Sequence, residues 1–257
     1  MNRLIARFFS SVFYLAFPLV SVLVLAACST TADKAQELKS AKVHTELAGL
    51  YYQRAQYGVA LEELNNALKS DQDYAPAYGV RGLIHMALHE DKDAEADFKR
   101  SLRLDDTDSD TQNNYGWFLC QRGRPNESIE HFMAAIKNPL YTTPGLAYLN
   151  AGLCSRKAGN NKDAEDFLQR ALLLQPDLTP AKYALAELSF ANADYFTAKK
   201  YFSGFAQKTD NLTAEQLWLG VRINRKAGDR NSEASYAVQL RNRYPDSREA
   251  QSLMNGE

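Results

Sequence analysis

Enzyme signatures are missing from this sequence of 257 residues. It has no Gly-rich phosphate loop, no Gly-x-Ser-x-Gly elbow and no papain-like cysteine signature. No residues therefore support catalysis, and neither a cofactor nor a small-molecule substrate is implied. Metal-binding patterns are equally scarce. His85 and His89 stand one helical turn apart, but no third ligand accompanies them at a suitable spacing and the HExxH glutamate is absent. The stretch Asp105-Asp106-Thr107-Asp108-Ser109-Asp110 alternates like a calcium loop, yet it lacks the glycine of such loops and Trp117 stands where a bidentate glutamate belongs. It reads as a solvated turn that caps the next helix. An excess of positive charge is also lacking. With Lys+Arg 30 against Asp+Glu 31 the chain argues against nucleic acid as a partner.

Long apolar runs are absent except at the N-terminus. Arg3 and Arg7 precede an apolar stretch from Phe8 to Ala27, broken only by Ser10, Ser11, Pro18 and Ser21, which reads as a secretory signal peptide. The stretch is about 20 residues, enough to span a bilayer, but it ends in Leu25-Ala26-Ala27-Cys28, which resembles the bacterial lipobox. Residues 1–27 are thus expected to be removed and Cys28 to carry the lipid, since several acyl chains anchor firmly where one does not. Ser29, in place of Asp, implies sorting to the periplasmic face of the outer membrane by the rule for such lipoproteins. Residues 28–40 are expected to form a lipidated tether that reaches up to about 40 Å. The leader holds two of the 30 basic residues and none of the 31 acidic ones, so the remainder has 28 against 31, a formal charge of −3.

Cysteine is rare, with three in the chain. Beyond Cys28, only Cys120 and Cys154 remain in a compartment that permits pairing. Two readings stay open for them: a disulfide between neighbouring helices, or two buried thiols packed as small apolar residues. No Pro/Gly/Ser-rich linker divides the chain.

What the chain does have is a ruler. Ala48, Gly82, Gly116, Gly152, Ala186 and Gly220 are separated by 34, 34, 36, 34 and 34 residues. A second series of small residues follows twelve positions behind: Ala60, Ala94, Ser128, Ala164, Ala198 and Ser232. Leu64, Phe98, Phe132, Leu168 and Phe202 each lie four residues further on, one helical turn along the same face. This is the pattern of the tetratricopeptide repeat, a 34-residue helix-turn-helix unit. It predicts an all-α, right-handed superhelical solenoid of six such repeats over 41–257, with repeats at about 41–74, 75–108, 109–144, 145–178, 179–212 and 213–247. The 36-residue interval places two extra residues near Tyr141 to Pro144, between Cys120 and Cys154. Phe205 departs from the small residue expected late in the second helix and should widen the local packing. The sixth repeat is degenerate, with Gly228 one place late, and Arg241, Arg243, Asp246, Arg248 and Glu249 give it the charged face of a cap.

In repeats of this type the first helix of each pair lines a groove. The positions that do so map onto Tyr52, Leu83, Met86, Asn113, Trp117, Leu149, Leu153, Arg156, Tyr183, Phe190 and Asn224. Their mixture of aromatic, aliphatic and amide groups suits a peptide or a helix. Core packing is the competing reading, most directly for Leu83 and Leu153, and Trp117 beside Asn113 is the leading candidate.

Four strings fall outside a generic repeat: Asn113-Asn114-Tyr115-Gly116-Trp117-Phe118-Leu119-Cys120, Tyr201-Phe202-Ser203-Gly204-Phe205-Ala206-Gln207, Leu217-Trp218-Leu219-Gly220-Val221-Arg222 and Ala234-Ser235-Tyr236-Ala237-Val238-Gln239-Leu240. With the lipobox and the repeats they resemble the type IV pilus biogenesis and stability lipoproteins, the pilotins of the pilus secretin, over essentially the whole chain after the leader. The resemblance implies a six-repeat outer-membrane lipoprotein that binds secretin subunits and helps them reach the membrane and multimerise. Phe205 fits that family's pattern. The alternative is a lipoprotein scaffold of another envelope machine, serving outer-membrane barrel assembly or peptidoglycan-synthase regulation.

Overall fold

A computed structural model describes residues 33–256. The leader, Cys28 and Ser29 lie outside the described residues. Among the described residues there are thirteen helices and no strand. Residues 33–53 form α1, followed by α2 Tyr57–Ser70, α3 Ala75–Ala87, α4 Asp91–Leu104, α5 Ser109–Gln121, α6 Pro125–Lys137, α7 Pro144–Lys157, α8 Asn161–Leu174, α9 Thr179–Ala191, α10 Tyr195–Ala206, α11 Ala214–Ala227, α12 Arg230–Arg243 and α13 Arg248–Met254. None of these helices is long and apolar enough to cross a membrane. The fold is an all-helical repeat solenoid, and α1 to α12 form six pairs that follow the spacing of the small residues.

The helix ends follow from local chemistry. Proline enters the first turns of α3, α6, α7 and α9, where a missing N–H leaves nothing unsatisfied. Side chains of Asp108, Asn160, Asp194, Asp229 and Ser247 accept from backbone N–H groups of the first turns they precede, and Thr213 with Gln216 forms a capping box at α11. The acidic stretch is a helix cap, as expected, with Asp108 accepting from Asp110 and Thr111. Within the pairs, the turn needs a residue at positive φ, supplied by Gly123, Gly159 and Gly228 in three repeats and by Ala55, His89 and Ala193 in the others.

Contacts divide the chain into two compact units, with the boundary between Asp106 and Thr107 in the acidic stretch. In the first unit, Ala48, Ala60, Leu64, Ala67, Ala77 and Ile84 share one core. A Cβ on Gly82 would stand 2.9 Å from the Phe98 ring, so only glycine lets α3 and α4 approach this closely. Arg81 donates to both carboxylate oxygens of Asp97 at 2.7 Å, and Ser101 Oγ donates to the Ala75 carbonyl at 2.8 Å. Of the residues expected in the tether, 33–40 are helical rather than extended and form the start of α1. Lys34-Ala35-Gln36-Glu37-Leu38-Lys39 are all strong helix formers, which explains the difference. His85 and His89 do not share a helical face. His85 bonds Glu90 at 2.6 Å through Nδ1, and His89 occupies the turn after α3 at a φ of 61°.

The second unit holds four pairs and α13. Gly116 lies against Phe132, Gly152 against Leu168, and Gly220 against both Phe202 and Tyr236. The two extra residues of the long interval fall in the turn between α6 and α7. There the buried Tyr141 packs on Ala135 and Ala147, and the Asn138 side chain reaches Ser109 Oγ at 3.1 Å. Phe205 is accommodated by a shorter helix. α10 has 12 residues where α8 has 14, and the Phe205 ring packs 4.8 Å from Tyr183 and 5.8 Å from Phe202. At the C-terminal end α13 does part of the capping, with Ala250 and Leu253 packed on the core that includes Leu217 and Leu240.

Candidate functional site

The residues expected in the groove fall in both units. Tyr52, Leu83 and Met86 belong to the first, where all three are half-buried. Tyr52 packs on the core beside Tyr57, and burial raises its pKa. The remaining candidates belong to the second unit and define a face made by the first helices of the pairs, α5, α7, α9 and α11.

Cross-helix contacts hold this face. Asn150 Nδ2 donates to Asn113 Oδ1 at 3.0 Å, joining α7 to α5, and Lys157 Nζ donates to the Cys120 carbonyl at 3.0 Å. Arg156 on α7 forms an ion pair with Glu187 on α9. The Tyr183 hydroxyl is pushed up to about 12, first by burial and then by the Glu187 carboxylate, so it remains neutral and able to donate a hydrogen bond. Arg222 on α11 lies over the Phe190 ring of α9, 4.6 Å from its centroid.

Cys120 and Cys154 are joined in a disulfide, with Cα atoms 5.9 Å apart. This resolves the two readings left open by the sequence. Cys120 is the twelfth residue of its repeat and Cys154 the tenth of the next. Phe190 and Arg222 stand in the same relation two repeats later, so a covalent bond and a cation–π stack tie equivalent points of the unit.

Not every expected residue faces outward. Leu149 is buried, and packs with Leu168, Ala181 and Leu185 between α7, α8 and α9. Asn224 is buried too, its amide donating to the Gly220 carbonyl at 2.7 Å. Trp117 is half-buried and packs against Cys120, Phe132, Ala151 and Cys154, so part of its ring belongs to the core and part to the face. Asn113, Leu153, Arg156, Tyr183 and Phe190 are all half-buried.

Sequence reasoning missed Asn150, Glu187, Trp218 and Arg222. Glu187 is the ninth residue of its repeat, a position already counted as groove-lining. Asn150 and Trp218 are sixth residues and Arg222 a tenth, just beside the positions counted. The chemistry of the face is therefore amide, aromatic and guanidinium groups on a rigid helical support, which suits recognition of a peptide backbone and its side chains. Among the described residues no cluster of three His, Cys, Asp or Glu side chains could hold a metal ion.

Comparison with known proteins places this architecture. The tetratricopeptide repeat family matches residues 146–178. The type IV pilus assembly protein PilF of Pseudomonas aeruginosa is 28% identical over 234 residues, 88% of this chain and 92% of that protein. The crystal structure of PilW, described as a widely conserved type IV pilus biogenesis factor, is 34% identical, with a TM-score of 0.74 over 83% of this chain and 98% of that one. A structure of Pseudomonas aeruginosa PilF is 26% identical, with a TM-score of 0.82 over 86% of this chain and 100% of that one.

Proposed function

Because this chain belongs to the tetratricopeptide family of the type IV pilus biogenesis proteins PilF and PilW, we propose that it is a lipid-anchored outer-membrane pilotin. In this reading the face on α5, α7, α9 and α11 binds secretin subunits and promotes their localisation and multimerisation. The observation that carries the pilus assignment is a likeness spanning 98% of PilW at 34% identity. The half-exposed strip of Asn113, Asn150, Leu153, Arg156, Tyr183 and Phe190 supports a protein partner, because its hydrogen-bonding and aromatic groups are held by cross-helix contacts before any partner arrives. Anchoring rests on the lipobox ending at Cys28.

Deletion of the chain should abolish twitching and the detergent-resistant secretin multimers, and the full chain in detergent should capture the secretin from solubilised envelopes. Cys28→Ala should move the protein out of the outer-membrane fraction with its helical content unchanged. Intact secretin multimers in the deletion strain, with loss of outer-membrane barrels or altered peptidoglycan synthesis instead, would assign the scaffold to another envelope machine.

A further inference from the structure

Between α11 and α13 lies a cavity of about 440 Å³ lined by Trp218, Arg222, Arg248, Glu249 and Ser252. Elsewhere on the second unit, arginines of first helices are committed: Arg156 on α7 pairs with Glu187, and Arg225 on α11 with Glu233 at 2.8 Å. Arg222 and Arg248 are exposed and form no ion pair among the described residues. Arg222 is nevertheless positioned, because its guanidinium is braced on the Phe190 ring. Trp218 is half-buried and offers an apolar wall, with Arg225 stacked 5.8 Å from its centroid.

We propose that this cavity is a carboxylate-binding subsite for an extended peptide segment, with Arg222 and Arg248 on the carboxylate and Trp218 against the preceding apolar side chain. The proposal rests on the reading above that the second unit binds a protein partner, and it adds the chemistry of the segment recognised. Guanidinium groups present N–H donors in a fork that matches a carboxylate. The lining holds two guanidinium groups and one carboxylate, Glu249, a surplus of one positive charge. A single carboxylate neutralises that surplus, whereas a dianionic phosphate would reverse it. The carboxylate can come from an acidic side chain or from a chain terminus.

The test uses the full chain in detergent and three fluorescently labelled tetrapeptides that differ only at the last residue. Ala-Leu-Phe-Glu with an amidated end carries a side-chain carboxylate, Ala-Leu-Phe-Gln with a free end carries a terminal one, and amidated Ala-Leu-Phe-Gln carries neither. Anisotropy should show at least one carboxylate peptide binding about fivefold or more tighter than the neutral peptide, and the winner identifies the source. Arg222→Gln and Arg248→Gln should each reduce that preference, and the double variant should remove it with thermal melting unchanged. Arg222→Lys should retain part of it, which separates loss of charge from loss of fold. Equal binding of all three peptides, absence of binding at millimolar concentration, or a preference that survives R222Q/R248Q overturns the subsite. Secretin capture that persists in any of those cases leaves the pilotin reading standing.

Discussion

Gly152 on α7 lies so close to Leu168 on α8 that a Cβ placed on the glycine would stand 2.6 Å from the leucine Cγ, and 3.2 Å from the Ala164 carbonyl oxygen. The contact occurs at the crossing of a helix pair, and the leucine is fully buried, so neither side can yield without moving backbone. Gly152→Ala should destabilise the second unit despite the higher helix propensity of alanine, and Gly152→Leu should cost about 1–3 kcal/mol or more through overpacking. Thermal unfolding followed by circular dichroism checks this, and a melting temperature equal to wild type would contradict it.

The disulfide crosslinks α5 to α7 across 34 residues. Closing a loop of this length removes denatured-state entropy equivalent to about 3–4 kcal/mol. Cys120→Ser with Cys154→Ser should therefore unfold at lower denaturant concentration than the oxidised protein. Reduction of the wild type should lower its midpoint in the same direction. Thiol titration of the denatured, non-reduced protein should find neither of these two cysteines free, and two free thiols from this pair would rule the bond out.

Ala193 sits at a φ of 59° where Gly159 and Gly123 occupy the equivalent turn at 80° and 78°. An L-residue pays about 1–2 kcal/mol for that conformation, while glycine costs about 0.4–1 kcal/mol in unfolded-state entropy. Ala193→Gly should thus stabilise by about 0.5–1 kcal/mol, and Gly159→Ala should destabilise by a similar amount. Chemical denaturation of the two variants gives the comparison, and a shared sign would contradict it.

His131 bonds Gln112 Oε1 through Nδ1 at 2.6 Å and packs its ring 4.6 Å from Tyr115. Burial lowers its pKa from 6.5, opposed by the charges of Glu130 and Glu127 and assisted by Arg124. The unfolded chain therefore takes up a proton at higher pH than the folded one. Stability from this group is complete above about 6.5 and is lost as the pH falls through that value towards the folded pKa. Melting temperature should decline below pH 6.5 more steeply in wild type than in His131→Gln. Parallel profiles would remove His131 as the cause.

Trp117 is shared between core and face, so its removal should act on both. Trp117→Ala should lower stability by about 2 kcal/mol, less than the ~3–5 kcal/mol for a wholly buried aromatic, and should also weaken secretin capture at temperatures where the variant remains folded. Unchanged capture by the folded variant would remove Trp117 from the face and leave it as core alone.

Much of the fold was legible because a helix pair is specified locally. Gly116 on α5 and Ser128 on α6 stand twelve residues apart, Phe132 lies a turn beyond Ser128, and packing α5 on α6 brings all three together. The same spacing located the six pairs and the long turn at Tyr141. The face was less legible. Whether a residue on a first helix is exposed depends on contacts beyond that helix, such as Leu149 with Leu185, 36 residues on, and one position rotates a side chain by about 100°. Leu149 thus reads like Leu153 in the sequence but is covered by residues of α8 and α9, including Leu168 and Leu185.

The sequence by itself determined the repeat, the helix pairs and the caps, since each depends on residues within one period. Only the tertiary structure decided that Cys120 meets Cys154, that Phe190 carries Arg222 and that Trp218 opens on a cavity with Arg248. Two of these pairings join the twelfth residue of one repeat to the tenth of the next, and the third joins a repeat to the closing helix. They depend on how one pair is rotated upon another, which side-chain packing between the pairs sets and a 34-residue period does not.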